Sequence, residues 1–322
     1  MNIKKLTALL CAVVMVLSLA ACGSDSGDKA SGSKHYTVGI CQLVQHDALD
    51  AATKGFRDAI TDALGAENVT FDEQNAAGDT PTCATICNGF VSSGVDLILA
   101  NATGALQAAA AATKDIPILG TAVTEYGVAL GIGNFSGTVG GNISGTSDLA
   151  PLDQQAAMIT ELFPDAKNVG IIYCSGEANS VYQADVVKAA LEKAGCTVTI
   201  YTFADTNDVV SVTGTASDAN DVLYVPTDNT AASCAEAIKG AATKPIVAGE
   251  EGICKGCGVA TLSIDYYELG RTTGEMAVKI LKGEADVSTM PIEYYPNPVK
   301  KYNPEMATAY NLTIPSDYAA IG

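Results

Sequence analysis

The side chains with the most chemistry to offer stand in short polar clusters, each following an apolar run: Gln45-His46-Asp47, Asn101-Ala102-Thr103, Thr121-Ala122-Val123-Thr124, the stretch 175–180 with Glu177 and Asn179, Thr227-Asp228-Asn229-Thr230 and Gly249-Glu250-Glu251. Hydroxyls and free N–H groups at a helix start hold a carboxylate, and an acidic side chain holds an ammonium through a charge-assisted bond. A zwitterion such as an amino acid carries both. Each cluster has a plainer reading beside this one, because Thr103, Ser180 and Asp228 also stand where helix N-caps would. Catalytic signatures are missing. The chain has only His35 and His46, and it lacks H-E-x-x-H, Walker A and G-x-S-x-G patterns. Gly131-x-Gly133 is followed by Gly137, one residue late for a dinucleotide loop, and opens no helical run. A Ser-His-Asp arrangement through His46 stays open, but a lone histidine after a strand reads first as a loop residue. The expectation is a non-enzyme without cofactor.

Cysteine chemistry is the second candidate. Lys4 and Lys5 precede an apolar run that closes on Leu19-Ala20-Ala21-Cys22. A basic start, an apolar stretch too short for a comfortable span and small residues before a cysteine read as a bacterial lipoprotein signal over residues 1–21, with Cys22 carrying the lipid. Acyl chains contribute about 0.8 kcal/mol per buried CH₂, which suffices to hold a chain at a membrane without a spanning helix. Eight further cysteines remain: Cys41, Cys83, Cys87, Cys174, Cys196, Cys234, Cys254 and Cys257. Several sit in apolar runs, where cysteine acts as a small buried hydrophobe. Cys254-x-x-Cys257 has the spacing of a local disulfide, a dithiol redox site or half a zinc knuckle, and Cys83 with Cys87 lies one helical turn apart, so a Cys₄ site from both pairs is an alternative.

The formal charge of −18 over 322 residues, with 36 acidic against 18 basic side chains, supplies no basic stripe for nucleic acid. Behind the candidate residues the chain alternates short apolar strands with helical patterns. A polar tether over 22–35 leads into strands at 36–44, 69–72, 95–100 and 116–119, separated by helices at 48–64, 81–93 and 104–113. A glycine-rich stretch after Gly131 reads as a crossing between domains. Helices at 152–163, 180–194 and 231–241 then alternate with strands at 168–173, 197–203, 221–225 and 245–247. A strand at 259–264 and a helix at 266–282 follow. The pattern predicts an α/β protein of two doubly wound, parallel-sheet lobes with helices on both faces, joined by a hinge of several crossings. Ligands of such sheets bind at the carboxyl ends of the strands.

Gly141-Asn142-Ile143-Ser144-Gly145-Thr146-Ser147-Asp148, Phe163-Pro164-Asp165-Ala166-Lys167, the stretch 175–180, Val225-Pro226-Thr227-Asp228-Asn229-Thr230 and Ile264-Asp265-Tyr266-Tyr267-Glu268-Leu269-Gly270 resemble the ABC-transporter substrate-binding lipoproteins of the tryptophan/tyrosine-binding type. The opening Val38-Gly39-Ile40 through Gln45-His46 is similar too, and the likeness runs from Tyr36 to Pro315. Asp47 departs from it, standing where proline is usual, as do Cys254 and Cys257. The resemblance implies a periplasmic-binding-protein type I fold, with lobe I at 36–143 plus 259–290 and lobe II at 144–258 plus 291–322. It implies a monomeric, lipid-anchored extracytoplasmic receptor that hands an amino acid, an aromatic one such as Tyr or Trp, to an ABC permease and its ATPase. The residues expected to hold the ligand are Gln45, Thr103, Thr124, Ser147, Glu177, Asn179, Asp228, Asn229 and Asp265, with Asp228 first for the ammonium and the hydroxyls of Thr103 and Thr124 for the carboxylate. No metal is expected. The alternatives are a receptor for a sugar, nucleoside or branched-chain amino acid, a redox or metal lipoprotein using Cys254 and Cys257, and an adhesin.

Overall fold

Residues 34–322 are described in the computed structural model, so the leader, Cys22 and most of the tether lie outside the described residues. In the first half, strands β1 (Tyr36–Gln42), β2 (Val69–Asn75), β3 (Leu97–Asn101), β4 (Ile118–Val123) and β5 (Ile143–Ser147) alternate with helices α1 (Asp47–Leu64), α2 (Thr80–Ser93), α3 (Thr103–Ala112) and α4 (Tyr126–Leu130). The second half has strands β6 (Asn168–Cys174), β7 (Thr197–Phe203), β8 (Val222–Val225), β9 (Ile246–Ala248) and β10 (Ala260–Ser263). Its helices are α5 (Leu152–Leu162), α6 (Ala178–Lys193), α7 (Val209–Ala219), α8 (Asn229–Ser233), α9 (Ala235–Ala241) and α10 (Glu251–Gly256). Helix α11 (Tyr266–Leu281) leads into β11 (Glu293–Tyr294), β12 (Val299–Tyr302), α12 (Pro304–Ala309) and β13 (Ala319–Ala320).

Two sheets result. The first has the order β11-β5-β4-β3-β1-β2, and the second β13-β12-β10-β9-β8-β6-β7. All pairings are parallel except β10 with β12. Alternation along the strands explains why both faces are covered. Leu97 and Leu99 of β3 join Phe56, Ile60 and Met276 from α1 and α11, while Ile98 and Ala100 pack with Phe90 and Leu106 from α2 and α3. The second sheet repeats the arrangement, with Ile171 facing Ile159 and Val187, and Ile172 facing Phe203 and Ile238.

Sheet membership moves the expected lobe boundaries. Strand β5, assigned to lobe II from residue 144, pairs with β4 in the first sheet, and β10, assigned to lobe I from residue 259, pairs with β9 in the second. Strand β11 likewise pairs with β5 rather than joining lobe II at 291. The chain therefore crosses between sheets after β5, after β10 and between β11 and β12. Strand β5 escapes a propensity reading because it is Ile-Ser-Gly-Thr-Ser. Gly145 adopts φ 146, and a Cβ there would lie 2.1 Å from the carbonyl oxygen of Gly120, so the close approach of β4 requires glycine.

The eight cysteines among the described residues carry free thiols. Cys41, Cys83 and Cys87 pack in the core of the first sheet and Cys254 and Cys257 in that of the second, so the two pairs are not brought together as a Cys₄ site. No group of metal-ligating side chains occurs among the described residues.

Candidate functional site

The carboxyl ends of both sheets converge on one cleft, and a buried network fixes its first-sheet wall. Gln42 donates to Asp50 at 2.6 Å and accepts from Thr53, and Asn101 donates to the Leu49 carbonyl and to Thr53, which pins the start of α1 onto β1 and β3. His46 occupies the N-cap position of α1 without capping it. Its ring crosses instead to the second sheet, where Nε2 meets Asn229 Oδ1 at 3.3 Å. Lys255 reaches back to Asp47 at 3.4 Å. These two contacts hold the walls against each other.

On the second-sheet wall, Glu177 organises the start of α8. Its carboxylate accepts from the Asn229 amide N–H and Nδ2, from the Thr230 N–H and hydroxyl, and from Asn179 Nδ2, all between 2.7 and 3.1 Å. Asp228 is equally engaged, accepting from Cys174 N–H and Ala231 N–H at 2.7 Å each, so it caps α8 and ties it to β6. Burial and the neighbouring Glu177 raise its pKa. Glu250 caps α10 through the N–H groups of Gly252 and Ile253, and burial pushes its pKa up to about 7.

The hinge carries a different kind of carboxylate. Asp148 follows β5, is buried, and accepts from the Tyr266 hydroxyl at 3.0 Å through Oδ2. Its other oxygen, Oδ1, is buried without any protein partner. Desolvation raises its pKa, partly offset by the hydroxyls of Thr124 and Tyr266. Two more buried atoms lack partners around the cleft, His46 Nδ1 and Asn179 Oδ1. All three can accept a hydrogen bond, and Asn101 Oδ1, Thr213 Oγ1 and Thr261 Oγ1 are likewise buried without a partner among the described residues.

At the end of β3, in the same sheet as β5, the start of α3 has no side-chain cap: Ala102 precedes it at φ 89, and Thr103 is buried in its first turn. Ala122 at φ 51 strains the end of β4 just before Thr124, where the pairing with β5 shifts register. Two non-glycine residues in the left-handed region at adjacent strand ends cost of order 1–3 kcal/mol each, a strain that clusters at ligand sites.

Of the nine residues expected from sequence, Thr103, Thr124, Asn179 and Asn229 are buried just after the strands that precede them. Ser147 donates to the Thr124 carbonyl and accepts from Leu149 N–H, bracing the hinge. Glu177 and Asp228 are occupied as described. Gln45 is exposed on a rim groove of about 600 Å³ with Asp47, Ser233 and Lys255. Asp265 is exposed and caps α11 through Glu268 N–H. Asp148, His46 and Tyr266 are not among those nine; sequence weighed His46 only as a loop residue or a member of a Ser-His-Asp arrangement. The signal for Asp148 was present, as the one charge ending a glycine, serine and threonine stretch.

A two-lobed α/β protein with an interlobe cleft and a threefold-crossed hinge has the architecture of a solute-binding protein. The chain belongs to the ABC transporter substrate binding protein family, whose model matches residues 37–318. It is 37% identical over 302 residues to the tyrosine-binding protein of Clostridioides difficile, covering 90% of this chain and 87% of that one. Among solved structures it resembles a Streptococcus pneumoniae ABC domain in complex with L-Trp, with TM-score 0.84, 33% identity and coverage of 88% and 97%. It also resembles the ligand-free, open structure of a C. difficile substrate-binding protein with adhesive properties, at 38% identity, coverage of 89% and 99%, and TM-score 0.68. The contacts from His46 to Asn229 and from Lys255 to Asp47 link the two sheets.

Proposed function

We propose that the chain is an extracytoplasmic receptor that binds a free aromatic amino acid, tyrosine or tryptophan, between its lobes for delivery to an ABC permease and its ATPase. The observation that carries this reading is Asp148 Oδ1, a buried carboxylate oxygen with no partner in the hinge. An ionised carboxylate buried without a counter-charge is costly, so the site favours a ligand that brings an ammonium to it. The uncapped start of α3, with the hydroxyl of Thr103, suits the ligand's carboxylate, while the Thr124 hydroxyl is engaged with Asp148. Asp148 therefore replaces Asp228 as the ammonium partner, because both Asp228 oxygens already accept from backbone N–H groups. The names of the relatives support the aromatic class. Closure follows from differential contact: a ligand bridging both walls favours the closed form that the permease reads.

The same reading extends to the chain's setting. Cys22 carries the lipid that tethers a monomer to the cell membrane. Changing Cys22→Ser should move the protein from the membrane fraction to the soluble one, and unchanged detergent-requiring retention would exclude the anchor. For the ligand, a melting screen over amino acids, nucleosides and sugars is the test. At about 100 Kd the bound amino acid stabilises by roughly 2.7 kcal/mol. Stabilisation by sugars or nucleosides alone would refute the amino-acid class.

A further inference from the structure

We propose that His46 is the residue that reads the ligand's side chain: its Nδ1 accepts a hydrogen bond from a donor carried on the aromatic ring, the phenol O–H of tyrosine or the indole N–H of tryptophan, and so separates both from phenylalanine. This rests on the amino-acid reading above and deepens it.

The argument is one of forced orientation. Glu177 presents only acceptor oxygens, so the Asn229 amide must turn its Nδ2 toward that carboxylate, at 2.7 Å. Asn229 Oδ1 is thereby left facing His46, and Nε2 at 3.3 Å must be the nitrogen that bears hydrogen. In a neutral imidazole the other nitrogen is then an acceptor. Burial keeps the ring neutral, lowering its pKa against the opposing pull of Glu177 across the cleft and of Asp47 and Asp50 on its own helix. Nδ1 is buried and has no partner. Asn179 is oriented in the same way, its Nδ2 donating to Glu177 and to the Thr227 carbonyl, which leaves Oδ1 as a second unpartnered acceptor on the facing wall. This end of the cleft therefore asks for a donor.

Its place in the fold separates it from the ammonium site. Asp148 follows β5 and His46 follows β1, and the sheet order β5-β4-β3-β1 puts three strand spacings between them, about 14 Å from backbone to backbone. That span suits a molecule that has an ammonium at one end and a ring-borne donor at the other. A site built to pair with such a donor rejects the analogue lacking it, because the buried acceptors would stay unpaired.

The test is calorimetry of the full chain with L-tyrosine, L-tryptophan and L-phenylalanine, on the wild type and on His46→Ala. The wild type should bind phenylalanine about 100-fold or more weakly than tyrosine. In His46→Ala, all three ligands should lose what the His46–Asn229 contact contributes to closure, while tyrosine and tryptophan should weaken by about 10- to 100-fold more than phenylalanine, collapsing the ratio. Equal wild-type affinity for tyrosine and phenylalanine overturns the proposal without recourse to a variant. A variant that weakens all three ligands by one factor also overturns it, making His46 a latch between lobes. In both cases the amino-acid reading survives. If no amino acid binds the wild type, that reading falls, and this one with it.

Discussion

At Asp228 and Asp148 the same side chain does different work, and the difference lies in what already occupies its oxygens. Asp228 is held by Cys174 N–H and Ala231 N–H, so Asp228→Ala should cost about 1–3 kcal/mol in denaturant unfolding, leaving ligand affinity of the folded protein near the wild-type value. A large affinity loss at intact stability would return Asp228 to the ligand. Glu250 gives a pH signature. Its pKa is raised to about 7 in the fold, so its contribution to stability is complete below the unfolded value near pH 4.5 and is lost as pH rises through about 7. Apo stability should fall between about pH 5 and pH 8, and Glu250→Gln should flatten the fall by up to about 3 kcal/mol. A profile identical to the wild type would show the side chain is not so buried. Sequence made Asp228 the natural choice, because an acid before Asn-Thr at a strand end looks alike whether it caps or binds. Which oxygens are free is a tertiary property, and no spacing reports it.

Among the elements, α11 carries the return from the second sheet and docks on α1 through close backbone contact. A Cβ at Gly270 would sit 2.0 Å from the Ala52 carbonyl oxygen, with Gly55 and Gly274 equally tight against the partner helix. Gly270→Ala should therefore destabilise by roughly 1–3 kcal/mol by forcing the helices apart, read as a lowered unfolding midpoint. Retention of wild-type stability would mean the crossing is looser than described. Most strands and helices were legible because both faces of each sheet are covered and the apolar runs are continuous. Helix α7 was not: Val209–Ala219 reads VVSVTGTASDA, rich in β-branched residues and serine, and tertiary packing of Val209 and Ala216 overrides that preference. Strand β5 escaped for the opposite reason, having too little apolar surface to announce itself, and with it went the true position of the hinge.

For the whole molecule, the strand and helix alternation was enough to define two lobes, while their closure depends on contacts between residues such as His46 and Asn229 that lie far apart in sequence. Asp148 Oδ1, His46 Nδ1 and Asn179 Oδ1 are buried acceptors without a partner, and the proposed amino-acid ligand would supply donors for them. The central claim is that Asp148 holds the ammonium. The most direct measurement is calorimetry with L-tyrosine and L-tryptophan on the wild type and Asp148→Asn, with apo melting alongside. The account expects the variant to lose on the order of 2–5 kcal/mol of binding, roughly 30-fold or more in Kd, while its apo form is as stable as the wild type or more so, because an uncompensated buried charge has been removed. Wild-type affinity in Asp148→Asn would contradict it.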